Sequence, residues 1–310
     1  MPKTYCKLDE ETRSGYTVTS AMKQVWNVEL ELLAQFLDVC RRLGLRCWVA
    51  DGTLLGAVRH KGFIPWDNDI DVCMMRPDYD RLVEAGPHEF KHPYFLQTAY
   101  SDKDYFRGHA QLRNTQTAAI RPSDSYRPFN QGIFIDIFVL DAVPEDTEHL
   151  NKVLRSVRRT TRFLKAKDTP ILLSGRLGLL FRKWRCQLAV RQKGWDTIYR
   201  SGIDDMLRLT NIQDCRYVAE MGYSGTENLL DKHIFDDTVM LDFEQLKVPA
   251  PVGYELFLRT QYGDDYMTPR QIATAHDDAL LSTTQSYTEL IPAARRQYRR
   301  KQFGKLKFWK

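Results

Sequence analysis

Hydrophobic and polar positions follow two periods along this chain, and the switches between them mark the elements. Over residues 20–43, Met22, Trp26, Leu30, Leu33, Leu37 and Cys40 recur every three or four positions. That spacing puts them on one face of an amphipathic helix, with Gly44 as its stop. "LRCWVA" (45–50) has β character, and "DGTLLG" reads as a turn opening a short helix. "IDVCM" (70–74) reads as a strand. "RPDYDRLVEAG" (76–86) reads as a helix, with Pro77 in its first turn and Gly86 at its end. Strands are expected near 94–99, 109–113 and 116–121, and strongly at "GIFIDIFVL" (132–140), a β-branched and aromatic run with one acid in its middle. Residues 145–215 are mostly helical and basic, including 171–193. Strand character returns near 217–222 and 239–248, and 251–263 reads as a helix capped by Gly263. The pattern predicts an α+β fold with a mixed sheet and a helical insertion at about 145–215.

Composition narrows the class. The 310 residues are 43% hydrophobic and 27% charged, which is globular and not disordered. The net charge of +5 is unevenly placed. Residues 295–310 hold eight Lys or Arg and no acid, so the remainder is slightly acidic. Residues 169–195 are also basic without an acid. Such local basicity points to anionic surfaces or substrates more than to a nucleic-acid footprint. Six cysteines form no Cys-x-x-Cys pair, which reads as reduced thiols in a cytosolic setting and not as zinc ligands. Residues 1–20 lack the apolar stretch of a signal peptide, and no run reaches the roughly 18 apolar residues that span a bilayer. The expectation is a cytoplasmic protein.

The chemistry concentrates in "WVADGTLLGAVRHKGFIPWDNDIDV" (48–72). If 67–71 is extended, Asp67, Asp69 and Asp71 share one face while Ile70 and Val72 take the other. Crowded carboxylates need a cation or a proton, and a hard divalent ion such as magnesium takes one or two carboxylates plus substrate phosphates. Asp136, alone in its apolar strand, would complete such a site; Asp141 beyond it is a weaker candidate. Gly52-Thr53 fits a phosphate site, because glycine allows close backbone approach and the turn opens amide donors at a helix start. Arg59, and with less support Arg113 in "QLRNTQT", are candidate phosphate contacts. Each feature alone has a bland alternative: a solvated acidic loop, a salt-bridged strand acid, a plain turn, or an arginine capping a helix end. An EF-hand is excluded, since the loop lacks its glycine and terminal glutamate. His60 reads as a loop support before a base. Trp66 either packs or stacks on a ligand. Tyr262 and Gly263 close the back of the pocket or end a helix.

In their order and spacing these residues resemble the signature of the LicD family of phosphotransferases, which includes fukutin-related proteins. Gly52, Thr53, Leu54, Leu55, Gly56, Arg59, His60, Gly62, Pro65, Trp66, Asp67, Asp69 and Asp71 carry the match. "DYDRL" (78–82), "GIFIDIFVLDAVP" (132–144) and "YGDDYMTP" (262–269) extend it across most of 25–270. The resemblance implies a nucleotidyltransferase core like that of polymerase β, over 1–144, a basic helical insertion over 145–215, a return to the core over 216–290 and a basic aromatic tail over 291–310. Asp69 and Asp71 match its metal-binding pair, Asp136 its third acid, and Gly52-Thr53 its Gly-Ser/Thr turn. Two departures stand out. Asn68 replaces an acid common in the family, and "KGFIPW" lengthens the spacing from Gly52 to Asp69.

What the family implies is transfer of a phosphorylated alcohol, typically phosphocholine from CDP-choline, to a hydroxyl of a cell-surface glycan, or a lipid-linked glycan, such as lipopolysaccharide or teichoic acid. Magnesium or manganese would be the cofactor, and CMP the product. The tail, which mixes Lys and Arg with Phe303, Leu306, Phe308 and Trp309, suits a peripheral contact with the anionic inner face of the plasma membrane; the alternative is a solubilising end. Competing readings are a nucleotidyltransferase that releases pyrophosphate and a catalytically silent glycan-binding module. No nucleic-acid partner is expected.

Overall fold

The computed structural model describes residues 4–166, 177–271 and 279–307. A small hairpin, β1 (Glu11–Arg13) and β2 (Tyr16–Val18), leads into α1 (Ser20–Leu43). Thr19 caps this helix by accepting the amide of Met22, and Gly44 ends it at φ 61°, a left-handed conformation that costs glycine nothing. Then come β3 (Trp48–Val49), α2 (Asp51–His60), β4 (Asp71–Met75) and α3 (Arg76–Glu89). Strands β5 (Tyr94–Gln97), β6 (Ala110–Asn114) and β7 (Ala118–Ile120) precede the long β8 (Ile133–Ala142).

The middle of the chain is helical: α4 (Thr147–Lys165), α5 (Leu177–Lys193), α6 (Trp195–Tyr199) and α7 (Asp205–Leu207). The sheet resumes with β9 (Tyr217–Ala219) and β10 (Leu230–Asp231), followed by a hairpin of β11 (Thr238–Phe243) and β12 (Leu246–Pro251). The chain closes with α8 (Tyr254–Tyr262), β13 (Leu280–Ser282) and α9 (Tyr287–Lys307). Where one strand was expected near 239–248, there are two strands joined at Glu244, whose φ of 52° makes the turn.

This is an α+β fold with a mixed sheet flanked by helices. One seven-stranded sheet runs β10-β9-β8-β4-β3, and β6 joins β8 on the way to β5. The β4–β8 pair is parallel, with Asp71 opposite Asp136 and Met75 opposite Leu140; its other pairings are antiparallel. Both strands are buried along their whole length, as a central parallel pair must be. Trp26, Leu30, Leu33 and Phe36 of α1 join the main core around this sheet. A second core forms where Val153, Val157 and Leu164 of α4 pack with Tyr199, Ile203, Leu207 and Phe106. All six cysteines are buried. Among the described residues no helix is long and apolar enough to cross a membrane.

The basic tail begins as a docked helix. Arg295 donates to the Ser125 carbonyl at 2.8 Å, and Arg299 to the Tyr126 hydroxyl at 2.8 Å. The side chains of Phe303, Leu306, Phe308 and Trp309, on which a membrane contact was expected to rest, lie outside the described residues, as do residues 171–176 of the expected basic helix.

Candidate functional site

The site grows from the join of β3, α2 and β4. The Ala50 amide donates to the Asp71 carbonyl at 3.0 Å, and the Asp71 amide donates to Thr53 Oγ1 at 2.8 Å. On the other side the Asp136 amide donates to the Ile70 carbonyl at 2.8 Å. These bonds fix the backbone of Asp71 between α2 and β8 before any side chain is considered. Residues 67–70 are not a strand, contrary to the extended run expected; β4 starts only at Asp71. The loop is pinned instead by Trp26, whose indole N–H donates to the Asp67 carbonyl at 2.9 Å.

Two cavities meet at this join. The smaller, about 350 Å³, is walled by Asp51, Gly52, Arg59, Trp66, Asp67, Asp69, Asp71, Tyr262, Tyr266 and Arg270, among others. The larger, about 480 Å³, has Asp51, Asp69, Asp71 and Asp136 on one side. Arg107, Arg121, Arg127 and Lys165 provide cations in its wall, with Phe106, Phe129, Phe138 and Tyr223 between. Asp51, Asp69 and Asp71 line both cavities. Asp67 lines only the smaller and Asp136 only the larger.

Crowding shows in the protonation of these acids. Burial, then the charges of Asp69, Asp51, Asp136 and Asp67, pushes the Asp71 carboxyl well above the usual range. Asp51 is raised to about 6, chiefly by burial, against the hydrogen bond from Gln261 and with Asp69 and Asp136 adding to the rise. Two further acids lie within the same field. Glu29 on α1 is pushed well up by burial and by Asp69, Asp67 and Asp136, and its Oε2 has no hydrogen-bond partner. Glu220 is pushed well up by burial, Asp51 and Asp136.

Asp136 is held from its own sheet. Gln111, its cross-strand partner on β6, donates Nε2 to Asp136 Oδ1 at 2.6 Å, and His109 Nε2 stands 3.0 Å from the same oxygen. Arg113 sits one layer behind. Buried, it donates to the side chains of Gln97 and Gln111 and to the Gly132 carbonyl. It lines neither cavity and reaches Asp136 only through Gln111, where it was expected to meet a phosphate.

The Gly-Thr turn sits against the acids. A Cβ on Gly52 would lie 2.7 Å from Asp67 Oδ2, so any larger residue there would make the Asp67 carboxylate turn away. Thr53 is buried and its hydroxyl accepts the Asp71 amide. Arg59 lines the smaller cavity and donates from Nη1 to the carbonyls of Tyr266 at 2.8 Å and Thr268 at 3.4 Å, tying down the loop after α8. His60 stands beside it, with Arg59 Nε 3.4 Å from its Nδ1. Trp66 packs edge-on against Tyr16 while lining the cavity, and Tyr262 closes another wall. Asp141 is withdrawn from the site: Arg76 donates to both its oxygens, at 2.7 and 3.0 Å.

The donors suit a hard divalent cation in kind, being carboxylate oxygens gathered in a low-dielectric wall. Among the described residues no three His, Cys, Asp or Glu side chains are drawn together into a ligand set. A magnesium site of one or two carboxylates, finished by substrate phosphate and water, does not require such a set.

Sequence reasoning missed Asp51, Glu29, Glu220, His109 and Gln111. Asp51 adjoins the quoted Gly-Thr pair, and its φ of 45° is a conformation that Asp tolerates better than most residues. Glu29 sits between Trp26 and Leu33 on the apolar face of α1, where an acid is itself a signal.

The family model described as LicD/FKTN/FKRP, nucleotidyltransferase domain, matches residues 44–169. That range includes every acid, arginine and lysine of the larger cavity. The chain is 29% identical over 253 residues to the lipopolysaccharide cholinephosphotransferase LicD of Haemophilus influenzae, an alignment covering 77% of this chain and 88% of that protein. It is 29% identical over 141 residues to an uncharacterized protein of Rickettsia prowazekii, covering 46% and 48%. It is 34% identical over 76 residues to human ribitol 5-phosphate transferase FKRP, covering 23% of this chain and 15% of that protein.

Proposed function

The chain carries a LicD-family nucleotidyltransferase domain and is a transferase of phosphorus-containing groups, and from that premise we propose that it moves a phosphorylated alcohol, phosphocholine first, from a CDP-activated donor to a hydroxyl of a cell-surface glycan. CMP is the other product. The observation that carries this reading is the shared wall: Asp51, Asp69 and Asp71 belong to two cavities at once. A transferase needs two substrates to meet at one point, and here two spaces do.

The smaller cavity suits the donor. Trp66, Tyr262 and Tyr266 offer faces for a cytosine or a quaternary ammonium, and Arg59 and Arg270 offer positive charge for the diphosphate. The larger cavity suits the acceptor, which is the bulkier substrate. In the transfer, the acceptor oxygen attacks the phosphorus that bears the alcohol. The new O–P bond forms as the bond from that phosphorus to the CMP oxygen breaks. Asp136, oriented by Gln111, takes the hydroxyl proton, a task commonly worth about 10²–10⁴ in rate. Magnesium or manganese held by Asp69 and Asp71, with Asp136 near, would neutralise the diphosphate and stabilise the departing CMP. The Thr53 hydroxyl keeps the Asp71 backbone in register with that geometry.

Screening CDP-choline and CDP-ribitol for CMP release, with acceptor glycan and with or without magnesium, tests the proposal. Acceptor- and magnesium-dependent CMP release is expected. Pyrophosphate release from CTP with no CMP from any CDP-alcohol would replace this reading with a nucleotidyltransferase.

A further inference from the structure

A basic cavity adjoins the larger one, and a second basic cavity adjoins the first. The first, about 530 Å³, shares Thr161, Lys165, Gly222 and Tyr223 with the acid-lined cavity. Its charged lining is Arg158, Arg162, Lys165 and Arg182 against a single acid, Glu227. The second, about 770 Å³, lies between α4 and α5 and shares Arg158, Arg162 and Arg182 with the first. Among the described residues its charged lining is six arginines, adding Arg155, Arg159 and Arg185, and no acid. The three spaces thus form one track from α5 to the carboxylates.

The helix that builds this track runs against ordinary surface design. Val153, Val157 and Leu164 bury one side of α4. Arg155, Arg158, Arg159 and Arg162 recur at three- and four-residue spacing over the rest, and residues 149–166 contain no acid. Like charges at that spacing destabilise a helix by about 0.2–0.5 kcal/mol per pair, and a merely solvated face alternates signs to avoid it. A concave run of guanidinium groups that ends on the transfer site has a chemical use. Guanidinium forks bind phosphate bidentately and stay charged at any physiological pH.

We propose that the acceptor is anionic, and that Arg158, Arg162 and Arg182 hold a phosphate group of it while its hydroxyl reaches the carboxylates. This rests on the transferase reading above and names the acceptor class it leaves open. The phosphate belongs either to the glycan or to a pyrophosphate joining the glycan to a lipid carrier; the chemistry recognised is the same. A flat membrane surface is disfavoured because these arginines line cavities contiguous with the catalytic one.

The test uses the full chain and the double variant Arg158→Gln/Arg162→Gln, with Arg158→Lys/Arg162→Lys as the conservative partner. Three acceptors are compared: a soluble glycan bearing a phosphodiester, the same glycan stripped of phosphate, and the glycan joined by pyrophosphate to a short lipid. The Gln variant is expected to lose at least ~10-fold more kcat/KM on the phosphate-bearing acceptors than on the stripped one, mostly through KM, with partial recovery in the Lys variant. A response to the soluble phosphodiester assigns the phosphate to the glycan, and a response only to the lipid-linked form assigns it to the carrier. Equal losses on all three acceptors, no loss, or arginine-dependent binding to anionic vesicles without effect on kcat/KM would overturn the inference. A parallel thermal-shift titration with the phosphodiester glycan alone, without donor, is expected to stabilise wild type and not the Gln variant. It reads the arginine site even if no CDP-alcohol proves to be a donor, so the two failures remain separate.

Discussion

The two ends of the β4–β8 strand pair place charged residues side by side in opposite ways. At the start, Asp71 faces Asp136 across the parallel ladder, with Asp51 and Asp69 close by, and the crowding drives the Asp71 carboxyl well up after burial has done most. One position past the ladder's other end, Asp141 is fully buried, and Arg76 donates to both its oxygens. Burial raises that carboxyl, and Arg76 pulls it back. The fold can therefore neutralise a buried acid on these strands when stability is the purpose. At the first end it supplies the neutral donor Gln111 to Asp136, and sets its arginines across a cavity. That difference separates a structural ion pair from a crowd of acids that borders a cavity.

The hardest way to break the comparison is to neutralise each acid of the first end. Asp71→Asn and Asp136→Asn are each expected to reduce transfer on the order of 10³-fold, since several kcal/mol of charge stabilisation or proton transfer disappears with the carboxylate. Removing one of several repelling carboxylates should leave the melting temperature of the magnesium-free protein unchanged or higher. Near-wild-type transfer in Asp71→Asn, measured as CMP release, or a large fall in its melting temperature, would mean that this end is built for stability after all.

The opposite end should respond in the opposite currency. Arg76→Met strips Asp141 of its partner and leaves it beside Asp204 and Asp80, whose charges also raise it. Breaking such a buried pair typically costs about 3–5 kcal/mol. Chemical denaturation should show that loss, while the turnover of the folded fraction stays within about threefold, below the ~0.7 kcal/mol that marks a change at the reacting atoms. Magnesium should not restore the stability.

The same contrast explains what the sequence could reveal. Helix α1 and its Gly44 stop, strand β8 and the lone Asp136 in its apolar run were legible because periodicity and composition are local. Asp69 and Asp71 were legible as a pair by spacing, although residues 67–70 are a pinned loop and not the strand assumed. Glu29 enters the acidic field only through packing of α1 against the sheet, and Glu220 only through the pairing of β9 with β8, and no spacing rule spans such separations. Arg113 carried the right charge for a phosphate contact, but its burial behind Gln111 depends on the β6–β8 register. The basic character of 145–215 was visible, whereas its continuity with the acid-lined cavity was not, because Thr161 and Lys165 meet Gly222 and Tyr223 only in the folded chain.

The mildest test concerns a crowd of cations at the far end of α2. His60 is half-buried, and burial, then Arg59 and Arg13, lowers its pKa to about 4. Here the protein relieves crowding by releasing a proton, with no ligand involved. The unfolded chain binds a proton to this histidine near its ordinary value of about 6.5, so between that pH and about 4 the unfolded state holds more protons than the native one. The stability tied to His60 is therefore present above pH 6.5 and falls as pH drops toward 4. His60→Gln should flatten that part of the stability–pH curve by a small amount, because the group is partly exposed and solvent screens it. The flattening should be the same with and without magnesium. A magnesium-dependent change would place His60 within the acidic site's reach and blur the distinction between charges the fold settles by itself and charges it leaves for a ligand.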